Sequence, residues 1–230
     1  MKIIEFLQPG IEQHDSLNPL LWQDQKLLPE VKQKLIDIAR HFVNFVDIEF
    51  PVIDVVVTGG QTGKFYTKQS DLDLHIITDF NRIECDKEIE ELFDTKKMLY
   101  KKRYDITIKG IEVELYVEDL SRPAVGGSYS VLKDAWLKPS TEPSNDIDTS
   151  AIDKQSKQLA SIIQKTIAQQ DLELLDKLKD NISQYRRSGL AKQGEYGVAN
   201  LVFKTLRNSG HIEKLRTAIK DLESKRLSLK

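Results

Sequence analysis

The stretch that most constrains this chain is Asp54 to Thr78, DVVVTGGQTGKFYTKQSDLDLHIIT. Val55, Val56 and Val57 form a β-branched run that Thr58-Gly59-Gly60 breaks, and Leu72, Leu74 and Ile76 then alternate with Asp71, Asp73 and His75. Alternation at a period of two marks a half-buried strand, so the order expected is strand, glycine turn, polar loop, strand. The same alternation puts Asp71 and Asp73 on one face, where two carboxylates can share a divalent cation. A lone Asp-x-Asp commonly ends a solvated strand, but here a glycine turn precedes it. Glycines let backbone N–H groups approach phosphate oxygens, and paired carboxylates suit Mg²⁺, a hard ion that takes oxygen ligands and bridges to phosphates.

Upstream, residues 1–24 contain Pro9, Gly10, Asn18 and Pro19 and read as an irregular arm anchored by Leu20, Leu21 and Trp22. Leu27 to Val46 reads as a helix, with Pro29 in its first turn and Val31, Leu35, Ile38, Ala39, Phe42, Val43 and Val46 as an apolar stripe. Arg82 to Tyr100 reads as a second helix with a solvated charged face. Tyr104 to Ile108 and Ile111 to Val117 are expected as a hairpin about Lys109-Gly110. On its second strand Glu112, Glu114, Tyr116 and Glu118 share one face, so a third carboxylate is either Glu112 or Glu114 on pattern alone. His75, on the Asp face, reads as a structural strand residue or a partner for Asp73.

Ser121 to Ser150 is rich in Pro, Gly, Ser and Asp, interrupted by Tyr129-Ser130-Val131 and Ala135-Trp136-Leu137, and reads as a connection between subdomains, with Arg122 to Tyr129 folding back towards the carboxylates. Beyond it helices are expected at Ile152 to Gln169, Leu172 to Ile182, Gly194 to Asn208 and His211 to Ser224. Gly197, Asn200, Lys204 and Arg207 line one face of the third, a polar stripe able to meet phosphates. Arg186-Arg187 is placed in a loop before Gly189 as a further phosphate contact.

The balance of 34 Lys+Arg against 36 Asp+Glu, formal net charge −2, excludes a global basic field for gripping long duplexes. No zinc spacing, Walker A loop, nucleophile elbow or internal repeat is present. No apolar run reaches a membrane span, MKIIEFLQPG lacks a signal-peptide core, and a single cysteine, Cys85, excludes an intrachain disulfide framework. A cytoplasmic protein with no membrane partner is expected.

Gly59-Gly60 followed by Asp71-Leu72-Asp73 resembles the signature of the nucleotidyltransferase superfamily that includes DNA polymerase β. The chain as a whole resembles a family of predicted nucleotidyltransferases of large tailed bacteriophages. LNPLLW at Leu17 to Trp22, SDLDLHI at Ser70 to Ile76, VELYVED at Val113 to Asp119, GSYSVLKDAWL at Gly127 to Leu137 and GEYGVANLVFKTLRNSG at Gly194 to Gly210 carry that likeness.

The resemblance implies an α+β fold, a nucleotidyltransferase-like mixed β-sheet flanked by helices, followed by a C-terminal α-helical subdomain, with boundaries at 1–140 and 151–230. It selects Glu114 as third acid, where many relatives have Asp. It implies two Mg²⁺ (or Mn²⁺) ions on Asp71, Asp73 and Glu114. A nucleoside triphosphate would be held by Gly59, Gly60, Ser70, Lys204 and Arg207. The reaction implied is transfer of a nucleoside monophosphate to a hydroxyl acceptor such as an RNA end, a small molecule or a protein, in the host cytoplasm if phage-encoded. A non-catalytic phage protein that keeps the fold is the alternative, and the absence of a helix-hairpin-helix clamp disfavours a template-directed polymerase.

Overall fold

The computed structural model describes residues 14–83, 88–122, 126–139 and 147–229. The chain divides into two compact units, one within Gln13–Glu142 and one within Pro143–Lys230. The first is α+β: a six-stranded mixed sheet, a two-stranded ribbon and two long helices.

A short ribbon of β1 (Trp22–Gln23) and β2 (Lys26–Leu27) leads into helix α1 (Pro29–Val46). Proline suits that first turn, and Val31, Leu35, Ile38, Ala39, Phe42 and Val46 are buried, as their spacing predicts. Leu21 and Trp22 anchor the arm as expected, but Leu20 does not: it is 48% exposed, because Leu21 and Trp22 turn inward on Asn18 O, to which both donate at 2.9 Å.

Strand β3 (Asp54–Thr58) pairs antiparallel with β4 (Leu72–Thr78), which pairs parallel with β6 (Ile111–Asp119). Parallel neighbours need a crossover, and helix α2 (Ile89–Arg103) with β5 (Thr107–Ile108) lies within it. The β5–β6 hairpin closes through Lys109 and Gly110, whose φ values of 50° and 82° fit a two-residue turn. Leu72, Leu74 and Ile76 are wholly buried beneath the sheet, each contributing about 1.5–3 kcal/mol of burial.

Two expectations change. Helix α2 starts at Ile89, not Arg82. Phe80–Arg82 is a short 3₁₀ turn, held because Asp79 Oδ1 accepts from Asn81 N at 3.1 Å and Asp119 Oδ2 from Phe80 N at 2.8 Å. Cys85 lies outside the described residues. The segment read as connection also contributes two strands, β7 (Ser128–Ser130) and β8 (Ala135–Lys138), which extend the sheet to the order β5-β6-β4-β3-β7-β8. Their docking is aromatic and polar at once: Tyr129 is fully buried against Trp22, and Trp136 stacks on the same indole. Buried Asp54 accepts from Ser130 Oγ at 2.7 Å, and Lys133 Nζ lies 3.3 Å from its other oxygen.

The second unit comprises α3 (Thr149–Gln169), α4 (Leu172–Gln193), α5 (Val198–Asn208) and α6 (His211–Leu227). Asp148 and Asp171 cap α3 and α4 by accepting from Ala151 N and Leu174 N. Helix α4 runs past Ile182, where it was expected to end, so Arg186 and Arg187 are helical rather than in a loop. Gly189 does not break it. A Cβ there would lie 2.3 Å from Ala199 Cβ, so this glycine serves the close approach of α4 and α5. No helix among the described residues is long and apolar enough to cross a membrane.

Candidate metal centre

The parallel pairing of β4 with β6 aligns Asp73 with Glu114, and Leu72 with Val113. Side chains of paired residues emerge on one face, so the register that buries Leu72, Leu74 and Val113 brings the acids together on the other. One carboxylate oxygen from each of Asp71, Asp73 and Glu114 lies within 4.8 Å of the others, the only such metal-competent group among the described residues. The choice between Glu112 and Glu114 is thereby resolved geometrically. Glu112, offset by a residue pair towards β5, has its carboxylate 2.7 Å from Lys101 Nζ, and its side chain is 51% exposed.

The centre is fixed from behind by the glycine turn. Gly59 takes φ 78°, and a Cβ at this position would lie 1.9 Å from Asp73 Oδ2, so the Asp73 carboxylate packs where any other residue would place a side chain. Gly60 has no such demand, since an added Cβ would make an ordinary 3.6 Å contact with Ser70 Oγ. Beneath the turn lies a buried polar scaffold that the sequence reading missed. Gln61 Nε2 donates to Ser70 O at 2.8 Å and Gln61 Oε1 accepts from Asn18 Nδ2 at 3.0 Å. Trp22 Nε1 donates to Gln61 O at 2.9 Å, and Thr62 Oγ1 contacts Gly59 O and Gly127 O at 2.7 and 3.1 Å. Through Gly127 the segment before β7 returns to the glycine turn, as expected. Ser70, expected to touch nucleotide, is buried with its hydroxyl accepting from Thr67 N at 2.9 Å, so it shapes the loop leading to Asp71.

Three close acids repel. Asp73 is pushed up to about 7 by burial first and then by the charge of Asp71, with a smaller push from Glu114, against opposing effects of His75 and Lys97. Glu114 behaves oppositely. Burial acts to raise it, but the hydrogen bond from Tyr116 Oη at 2.6 Å and the Lys101 ammonium at 3.0 Å prevail and hold it below its usual range. Lys97 Nζ sits 3.3 Å from the centroid of the Tyr116 ring, and burial lowers its pKa despite nearby carboxylates. Lys97 and Lys101, expected in a solvated face, are therefore counter-ions of the centre. Their signal was the spacing of four on α2, which stacks both over one edge of the sheet.

His75 has the structural role expected of it. Its Nε2 lies 2.9 Å from Thr58 Oγ1, its Nδ1 2.9 Å from Glu118 Oε2, and its ring stacks on Tyr116 at 4.6 Å between centroids. It thus props Tyr116, which in turn holds Glu114. Tyr66 stacks on His14 at 3.8 Å, tying the arm to the loop before Asp71.

The donor set fits Mg²⁺ or Mn²⁺. It is all oxygen, it is anionic, and the charge that pushes Asp73 upward is of the sign a dication removes. Glu114 already accepts bonds on both oxygens, yet each carboxylate oxygen keeps a further lone pair for a cation. Lys204 and Arg207 belong to α5 in the helical unit, not to the unit holding the carboxylates. Of the expected stripe on that helix, Asn200 is only 2% exposed and is engaged within its own unit.

Comparison with known proteins finds no relative: no family model matches the sequence, no curated protein matches it, and no solved structure matches the fold.

Proposed function

We propose that this protein is a metal-dependent nucleotidyltransferase of the DNA polymerase β-like superfamily, related to the phage proteins its sequence resembles. The observation that carries the reading is the convergence of Asp71, Asp73 and Glu114 from paired strands, with Gly59 directly against Asp73. Bound Mg²⁺ or Mn²⁺, as two ions, would supply charge neutralisation of a triphosphate and a lowered pKa for an acceptor hydroxyl. Asp71, immediately before β4, and Asp73, on it, would hold the cation side by side. Glu114, braced by Tyr116 and Lys101, completes the ligand set from β6. The Gly59-Gly60 turn brings backbone close enough for phosphate oxygens, and Lys97 and Lys101 supply positive charge beside them. The product is a nucleotidylated acceptor, whether RNA end, small molecule or protein, and pyrophosphate.

The test is incubation with Mg²⁺ or Mn²⁺, labelled nucleoside triphosphates and a bacterial extract of RNA and protein. Label transfer is expected to fall on the order of a thousandfold in Asp71→Ala/Asp73→Ala, the several kcal/mol a catalytic cation supplies. Transfer that persists in the double variant would sink the assigned centre. A wild-type protein inert with every nucleotide, yet folded, would point to the non-catalytic reading.

A further inference from the structure

A pocket adjoins the carboxylate centre on the side of β6 away from the glycine turn. Strand β5 pairs with β6 only through Ile111 and Glu112, so beyond Glu112 this edge of β6 is met by helix α2 instead of a strand. A space of about 190 Å³ opens there, lined by Lys97, Lys101, Tyr104, Asp105 and Glu112 together with Glu114, the third acid of the centre. It is smaller than the roughly 300–1,000 Å³ of sites for drug-sized ligands, so it takes a single ring.

Its wall is aromatic and fixed. The Tyr100 and Tyr104 rings lie 4.9 Å apart between centroids, Tyr104 packs edge-on against His41 at 5.1 Å, and the Tyr100 hydroxyl is hydrogen-bonded to His41 Nδ1 at 2.7 Å. The charged groups balance. Lys97 and Lys101 bring two ammoniums and Asp105, Glu112 and Glu114 three carboxylates, so assigning Glu114 to a cation leaves the two signs equal. Lys101 directs N–H groups at Glu112 and Glu114, at 2.7 and 3.0 Å, and an ammonium has three. Asp105 and Glu112 are exposed at the rim. A balanced pocket has no net attraction for a phosphate or for a cationic ligand. A neutral polyol suits it, because each hydroxyl can donate to a carboxylate and accept from an ammonium, while the C–H face of a sugar ring packs on tyrosine.

We infer that this pocket holds the sugar ring whose hydroxyl accepts the nucleotide, the ring being either the terminal ribose of a nucleoside or RNA strand or part of a free saccharide. The inference rests on the nucleotidyltransferase reading for the transfer, but not for the binding. Glu114 borders both sites, so a ring seated against Tyr104 has its hydroxyls beside the acid that completes the centre. In the transfer the hydroxyl oxygen forms the new bond to the α-phosphorus. The bond from that phosphorus to the bridging oxygen breaks, its electron pair leaves on pyrophosphate, and the hydroxyl proton passes to solvent. Asp105 and Glu112 orient the ring from the rim and are positioning residues.

Binding is read without metal, by saturation-transfer difference NMR on the full-length protein in EDTA. The probes, used separately, are adenosine, a single-stranded RNA with a free 3′ end, and maltose. At least one is expected to bind with a dissociation constant of about 1 mM or tighter, as a single-ring ligand does. Asp105→Asn/Glu112→Gln, at two exposed positions, is expected to weaken that binding at least about fivefold. Lys102→Gln, exposed on α2 outside the pocket, is expected to change it less than about twofold, and circular dichroism checks that each variant folds. Binding of adenosine or RNA assigns the pocket to a ribose, and binding of maltose alone assigns it to a saccharide. In the transfer assay the double variant is expected to raise the KM for the acceptor while leaving kcat within about twofold. Binding without transfer upholds the pocket and counts against the nucleotidyltransferase reading. The inference is overturned by no binding of any probe, by binding that the double variant leaves unchanged, by equal loss in Lys102→Gln, or by transfer whose acceptor KM does not move, an outcome that leaves the nucleotidyltransferase reading standing.

Discussion

The carboxylate centre and the pocket beside it share Glu114, but they are built in opposite ways. The centre uses short side chains on paired strands, so its geometry is the geometry of the backbone: the Asp73–Glu114 register and the Gly59 turn set the distances. The pocket has its aromatic wall pinned, while Lys101, Asp105 and Glu112 reach over the rim from exposed positions. A site of the first kind is expected to fail when the backbone moves by a fraction of an ångström. A site of the second kind should answer mainly to which hydrogen-bonding groups it carries.

The largest effect that would separate the two is the cost of keeping Asp73 charged in the centre, set by its burial first and by the neighbouring acid charges second. Asp73 has its folded-state pKa raised to about 7, so its contribution to stability is fully present below its unfolded value near 4 and is lost as pH rises towards 7. Removing that charge in Asp73→Asn should leave a protein whose stability relative to wild type grows between about pH 4 and pH 7 and levels off above, by up to about 4 kcal/mol. Saturating Mg²⁺ at pH 8 should close the gap by stabilising wild type alone. Chemical denaturation of both proteins across this range checks it, and a gap independent of pH would show that Asp73 is not held above its ordinary range.

Next in size is the backbone test. Gly59→Ala requires an L-residue at φ 78° and displaces Asp73 Oδ2, at a cost of about 2 kcal/mol together with loss of Mn²⁺ binding. Gly60→Ala should be nearly neutral in both thermal melting and calorimetric titration. Equal behaviour of the two would remove the claim that the turn positions the acid. The smallest effect belongs to the pocket: Glu112→Asp keeps a carboxylate at the rim and should change sugar affinity by less than about twofold, whereas Glu112→Gln removes the charge and should cost more. Comparable losses would make the pocket a site of fixed geometry after all.

The sheet unit was legible in sequence where local rules act alone. The α1 stripe, the alternation of β4 and the Lys109-Gly110 turn each follow from residues within a few positions of one another, and Asp71 and Asp73 came with that alternation. Strands β7 and β8 showed only as two short interruptions of turn-rich sequence, because what pairs them with the sheet, Asp54 beneath Ser130 and Trp22 beside Tyr129 and Trp136, is distant in the chain. The same is true of Lys97 and Lys101. On a helix they look like solvated charge, and only the position of β6 shows what they face. Arg186 and Arg187 were misplaced because α4 was expected to end at Ile182, whereas it continues through Gly189, which answers a steric demand from Ala199. In each case the missing information was tertiary.

The parallel pairing of β4 with β6 has a consequence for the order in which the molecule matures. Asp71 and Asp73 are present as soon as the β3–β4 hairpin forms, but Glu114 joins them only after α2 has folded and the crossover has closed, the kind of distant contact that chains form late. Until then the chain carries an aspartate pair with neither its third acid nor the lysine and tyrosine that brace it. The candidate centre is thus complete only once that crossover has closed, and a chain in which it is still open has the aspartate pair without Glu114.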